Sequence, residues 1–216
     1  MKLYGRLRNA CRLLRARSAG ALVGEGVILG RNLSLGGRIV IGDGVHIEDD
    51  VVLTGNVRIE AKACVQKLTE IAGNISIGAN SLIGAFSFLS TGPKGRLNIG
   101  ADVLVNAYSV LGASSSVEIG DHCIFAAYVQ ITDATHGIED VAKLTKHTEF
   151  SSSPVVLGKN VWLGSGAMVA MGVTIGEGSV IGAKSLVTGS IPPFSVAYGI
   201  PARVVRNRLQ GSEITA

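Results

Sequence analysis

The segment Ile131-Thr132-Asp133-Ala134-Thr135-His136-Gly137 carries the histidine best placed for chemistry, because it stands where an ordered pattern stops and a polar stretch begins. An imidazole titrates near neutrality and can take the proton from a hydroxyl as that oxygen attacks an electrophile. Further along, Arg203 and Arg206 present guanidinium forks that suit phosphate oxygens. Trp162 is the only tryptophan of the chain. His46 and His122 read as outward turn residues and His147 as a loop residue, none with a chemical duty. Cys11, Cys64 and Cys123 are odd in number and scattered, which fits reduced thiols rather than a disulfide framework or a metal site. No metal is required by this inventory.

The elements that position these residues follow from an internal repeat. Every sixth residue reads Leu29, Leu35, Ile41, Ile47, Leu53, Ile59, Val65, Ile71, Ile77, Ile83 and Leu89. After an insertion at Ser90–Arg96 the register resumes as Ile99, Val105 and Leu111, and after a two-residue slip as Ile119, Phe125 and Ile131. Beyond a longer break it runs Leu157, Leu163, Val169, Ile175, Ile181 and Val187. Gly often follows, as in Ile41-Gly42 and Ile175-Gly176. A period of six is incompatible with an α-helix at 3.6 residues per turn and too regular for a sandwich. It predicts an all-β solenoid of short strands, each stacked on the one a coil below. Interruptions in such a stack are candidate functional loops; the largest, 137–154, is polar and carries Lys143, Lys146 and His147. Trp162 then falls at an outward position, where so much apolar surface calls for a ligand or partner.

The pattern Ile-Gly-x-x-Ser/Val-x over Gly24 to Arg206 resembles the hexapeptide-repeat acyltransferases, among them the maltose, galactoside, xenobiotic and surface-polysaccharide O-acetyltransferases. The resemblance implies a left-handed parallel β-helix. Handedness rests on it alone, since parallel crossovers otherwise favour the right hand. It also implies His136 as general base, in a segment similar to the family's Thr-x-x-His. Asn106 is implied to face that histidine and to hold the acceptor hydroxyl or support the oxyanion of the tetrahedral intermediate. Asn160 to Ala167 resembles the coenzyme A wall and Tyr198 to Arg206 the closing motif. By resemblance Trp162 packs along the pantetheine arm, Ser165, Ala183 and Thr188 line its channel, and Arg203 and Arg206 meet its phosphates. Gly189 stands where relatives carry Lys, a contact Lys184 could replace.

The implied reaction is direct transfer of an acetyl or related acyl group from coenzyme A to a sugar hydroxyl, in a homotrimer whose site lies between subunits. Simple-sugar enzymes place acids shortly after the asparagine, whereas this chain has Ala113, Ser114, Ser115 and Ser116. That difference points to a surface-polysaccharide acceptor. N-acylation of a nucleotide-linked amino sugar is the alternative enzyme reading, since side-chain chemistry does not separate O- from N-transfer. The zinc carbonic anhydrase of the same fold needs three histidines, two of them a few residues apart, and no such pair is present. A non-catalytic solenoid gives no reason for Trp162, His136 and Pro201-Ala202-Arg203 to coexist.

The expected organisation is a basic amphipathic segment over 1–20, the β-helix over 21–200 with the extruded loop 137–154, and a closing motif and tail over 201–216. Net charge is +4, yet Lys2, Arg6, Arg8, Arg12, Arg15 and Arg17 crowd the first seventeen residues. The remaining body holds 14 basic and 16 acidic residues, so nucleic acid is not an expected partner. Arginines interrupt every early apolar pair, against a secretory signal and for a cytoplasmic protein. Residues 1–17 are expected to cap the solenoid's open end or to contact an anionic membrane surface.

Overall fold

The computed structural model describes residues 2–137, 142, 144–145 and 148–210; Lys143, Lys146 and His147 lie outside them. Helix α1, Lys2–Ser18, lies across the first coil. Its Ala16 is buried and Leu13 packs on the core. The Asn9 side chain donates to the Val27 carbonyl and accepts from the Leu29 N–H, both at 2.9 Å, while Arg12 donates to the Leu29 carbonyl at 2.6 Å. These bonds occupy backbone groups of the strand Ile28–Leu29 that a preceding coil would otherwise take, so α1 covers an exposed sheet edge.

Above α1 the chain winds into a parallel β-solenoid of about nine turns. Two sheets of thirteen and ten strands form its walls, the larger bending around one corner to supply two of them. The register follows the hexad: Leu29, Ile47, Val65, Ile83, Val105, Phe125, Leu163, Ile181 and Ala197 stack directly on one another along the ten-stranded sheet. All are buried, and of the predicted sixth-residue series only Leu35 is partly exposed. Each buried Ile or Leu contributes roughly 1.5–3 kcal/mol of apolar transfer free energy. A second inward position two residues earlier takes small or β-branched side chains such as Ala63, Ser81, Cys123 and Val161.

Two of the three corners turn through a left-handed residue just before that small one, as at Asn80, Asp102, His122 and Asn160 in one column and Asp50, Leu68, Phe86, Tyr108 and Tyr128 in the other. His122 is a turn residue as expected. His46 instead lies on the outward side of the strand His46–Ile47.

The third corner is built differently. In the early coils the eight-residue strands Ser34–Ile41, Val52–Ile59 and Glu70–Ile77 run through it unbroken, with Gly37, Gly55 and Gly73 stacked at positive φ. A Cβ on Gly73 would stand 2.2 Å from Thr91 Oγ1, so only glycine fits beneath the next coil. From Ser90 onward all three interruptions of the repeat leave at this same corner. Ser90 stacks under Gly112, and Gly112 under Thr132. The strands resume on the next wall at Leu97, Val117 and Val155, again stacked on one another. An antiparallel hairpin, Ser195–Gly199 with Ala202–Asn207, closes the upper end of the ten-stranded sheet.

Candidate active site

His136 stands at the root of the excursion, on a small antiparallel pair in which Ala134–His136 meets Phe150–Ser152 and His136 faces Phe150 across the strands. Their rings contact with centroids 4.1 Å apart and planes at 42°. The imidazole is half-buried, and its Nδ1 is buried without a hydrogen-bond partner among the described residues. An unpaired buried polar atom is uncommon in a folded protein, and at a suspected site it points to a partner beyond the described residues.

The pair is fastened from below by Asp133. This carboxylate is fully buried and accepts from the Ser114 and Ser115 N–H groups, each at 2.7 Å, while its own carbonyl accepts from the Ser153 N–H at 2.8 Å. The side chain thus ties the start of the excursion to the corner of the coil beneath, and the backbone carbonyl of the same residue ties its end. The sequence reading missed Asp133 and Phe150. The aspartate's place at the very break of the repeat was the available signal; nothing in the periodicity pairs Phe150 with His136.

The predicted donor residues gather on a different corner. Trp162 projects from the ten-stranded wall, half-exposed, between Ile124 and Val180 of the neighbouring coils. Two residues on, the corner column above Asn106 runs Ala126, Gly164 and Gly182, flanked by Ser165 and Ala183. Coils approach closely here: a Cβ on Gly164 would lie 2.5 Å from the Ala183 nitrogen. The outcome is a shallow strip without bulky side chains, floored by backbone and bordered by the indole. Ser165 Oγ donates to the Ala127 carbonyl at 2.9 Å. Asn106 is exposed, with its Oδ1 accepting from the Ala107 N–H at 2.8 Å and its amide N–H groups turned free of that bond.

Across the same wall, Val180 pairs with Val196 and Val196 with Arg206, so Arg206 stands three strand spacings, about 14 Å, from Trp162. Arg203 lies in the same hairpin strand and is exposed. An exposed indole, a strip of small residues bounded by Tyr198 over Gly182, and two exposed guanidinium groups in the hairpin above suit an elongated ligand carrying phosphates. Thr188 is not brought into this group; it is exposed at the third corner, on His136's side.

Lower down, Phe86, Tyr108 and Tyr128 stack along the Asn106 corner with centroids 4.9 and 5.0 Å apart and nearly parallel planes. The next residue in the column is Gly166, which ends the ladder and opens the strip above it. From Tyr128 to Asp133 the chain crosses one full wall, five residues or about 16 Å at ~3.3 Å each. Asn106 and Trp162 therefore do not share a corner with His136 within one chain.

A parallel solenoid with a histidine-bearing excursion on one corner and a strip of small residues on another defines the general class, a β-helix scaffold with a divided site. Residues 154–189 match the family model of bacterial transferase hexapeptide (six repeats). The chain is 33% identical over 147 residues to Escherichia coli WbbJ, named for O-acetyl transfer in lipopolysaccharide biosynthesis, covering 62% of this chain and 72% of that one. It is 45% identical over 91 residues to the E. coli galactoside O-acetyltransferase, 42% of this chain and 44% of the enzyme. The structure of LpxA from Acinetobacter baumannii superposes with a TM-score of 0.63 at 21% identity over 89% of this chain and 77% of that one, a likeness of fold. Several curated relatives are matched over less than half their own length, 36% and 44% in two cases. The chain belongs to the hexapeptide-repeat transferases, and its solenoid is the left-handed parallel β-helix of that family.

Proposed function

We propose that this protein transfers an acetyl or related acyl group from coenzyme A to a hydroxyl of a sugar in a surface glycan, within a homotrimer. The observation that carries the reading is the division of the site. His136 has a buried Nδ1 with no partner among the described residues on one corner, while Trp162, Asn106 and the strip beside them lie a full wall away. Two chains set side by side bring one chain's His136 corner against the other's Trp162 corner and complete a single site, as closed cyclic assemblies allow.

The bound acyl thioester supplies the electrophilic carbonyl. His136 accepts the proton of the attacking hydroxyl, general-base assistance worth about 10²–10⁴-fold. Its Nδ1 then needs a hydrogen-bond acceptor, which fixes the tautomer that leaves Nε2 free to take the proton. Asn106 presents its free amide N–H groups to the oxygen that gains negative charge. Trp162 lies along the pantetheine arm over the strip at Gly164, Ser165 and Ala183, and Arg203 and Arg206 pair with phosphate. Thr188 contributes from the third corner of the same chain or of its neighbour. Asp133 touches no reacting atom; it is a positioning residue that holds the root of the excursion.

Thiol release from acetyl-CoA, measured across simple sugars, amino sugar nucleotides and isolated surface glycans, tests the activity and selects between O- and N-transfer. Mixing tests the divided site. Chains carrying His136→Ala and chains carrying Trp162→Ala, unfolded and reassembled in equal amounts, should regain about a quarter of wild-type turnover, the share of random trimer interfaces that pair two intact corners. No recovery above either mutant alone refutes the shared site.

On this reading the reaction takes place in the cytoplasm and α1 meets anionic lipid, through Arg8, Arg15 and Leu14, which are exposed on it, Leu14 by 63%. Flotation with anionic liposomes by wild type but not by a chain lacking residues 1–17 is expected; equal failure to float removes the membrane contact.

A further inference from the structure

Acyl transfer leaves unused a cluster of arginines at the lower end of the solenoid. Arg8, Arg12 and Arg15 follow at i, i+4 and i+7 along α1, so they stand on one helix face. With Cys11 and Arg31 they line a groove between the helix and a corner of the first coil. Arg12 is held there by its bond to the Leu29 carbonyl, and Arg31 donates twice to Asp49, at 2.8 and 2.6 Å. Asp49 offsets one of the four charges. The sequence of α1 contains no acidic residue, and like charges at i, i+4 destabilise a helix. An anion seated between the guanidinium groups relieves that repulsion.

Arg12, Arg15 and Arg31 also border a cavity of about 580 Å³ whose apolar lining is Ala16, Ala19, Leu29, Leu33 and Leu35. Leu33 and Leu35 are only partly buried. A cationic mouth on an apolar interior suits an amphiphile, whereas an inorganic anion leaves these leucines against water.

We propose that this groove binds the head of a membrane lipid carrying a terminal phosphate, with the first carbons of its apolar chain over Leu33 and Leu35. The inference rests on the membrane contact of α1 and names the headgroup. A phosphomonoester carries about −1.5 to −2 charge and three acceptor oxygens, which several guanidinium forks can share. A phosphodiester head offers a single charge and fewer free oxygens. Exposed Leu14, next to Arg15 in the chain, enters the bilayer beside the groove.

Cys11 lines the groove and is exposed, so its alkylation by iodoacetamide reports occupancy. The test uses the full chain in its solution assembly, with phosphatidylcholine vesicles containing either phosphatidic acid or phosphatidylglycerol at matched surface charge. Phosphatidic acid should slow Cys11 labelling about tenfold, as a site offered ligand at about ten times its Kd would, and phosphatidylglycerol by less than about twofold. Arg15→Gln should abolish this preference. Arg17→Gln, which removes the same charge from a residue that bonds the Val23 carbonyl instead, should keep it. Equal shielding by the two lipids, equal loss in the two variants, or the same shielding by inorganic phosphate alone overturns the headgroup site. Cys11 that stays unlabelled without lipid overturns it as well, since a second copy then covers the groove. Failure of wild type to float with either vesicle removes the membrane contact and the groove's role with it. Acetyl-CoA turnover reads the transferase independently, because Leu29 lies six strand spacings, about 29 Å, below Leu163 on the ten-stranded wall.

Discussion

Asparagine in place of Asp133 separates positioning from chemistry. Both carboxylate oxygens accept, one from the Ser114 N–H and one from the Ser115 N–H, at 2.7 Å each. A hydrogen bond to a charged group contributes about 1.5–3 kcal/mol net. Asparagine keeps one acceptor oxygen and turns an NH₂ group toward the other N–H, so one bond is lost and a donor faces a donor. The local cost is about 2–3 kcal/mol, with both amides only part-buried and able to recruit water.

Hydrogen exchange at residues 114 and 115 reads this directly, and 2–3 kcal/mol corresponds to about 30- to 150-fold faster exchange where protection arises from local opening. Because the same carboxylate holds the root of the His136 strand, kcat should fall by about 100-fold, the penalty of a misplacement near 1 Å. Circular dichroism and oligomeric mass should stay as in wild type. Ser115→Ala, which keeps its backbone N–H, should change neither readout. Unaltered exchange at both amides with kcat within threefold of wild type would refute the role of Asp133. A fall in kcat with protection retained would show that it acts by another route.

Trp162→Ala should weaken acetyl-CoA binding by about 30-fold in calorimetry, the scale of a buried aromatic anchor, while circular dichroism is unchanged. Phe125→Ala should destabilise the fold by about 3–5 kcal/mol in denaturant titration, since Phe125 is fully buried and its parallel neighbours Val105 and Leu163 cannot close the gap. Burial pushes the Cys123 thiol up to about 11, and Cys11 is exposed on α1. Iodoacetamide at pH 8 should therefore label Cys11 within minutes and Cys123 only after unfolding, as mass mapping would record.

The solenoid was legible because its rule is local and repeated: an inward residue every six positions, each stacked on its equivalent one coil below. Leu35 departs from full burial on the first coil, whose third wall has no strand paired beneath it among the described residues. The site was legible only as residue types. His136 and Trp162 stood out by position in the repeat, but their separation by a wall depends on counting coils through three interruptions of unequal length. Asp133 reads as one more polar corner residue until the excursion is seen to leave and return beside it. Phe150 is fourteen residues from His136 across a segment without periodicity, so its pairing belongs to the folded loop alone.

The two corners differ because the repeat constrains them differently. Beside Trp162 none of the three interruptions leaves the stack, and a Cβ at Gly164 would stand 2.5 Å from the Ala183 nitrogen. At the third corner, the register of Leu97 on Ile75 and of Val155 on Val117 is regained after four added residues in one coil and a long excursion in another. A stack held together by nearest-neighbour coil contacts tolerates material that leaves and returns at one point, because the inward ladders on either side keep their partners. Under the proposed function this gives the fixed corner to the common donor and the tolerant corner to the acceptor. Acceptor choice then lies in the segments 90–96, 112–116 and 132–154, which can change in length and chemistry without disturbing the strip at Gly164 or the ladder beneath it.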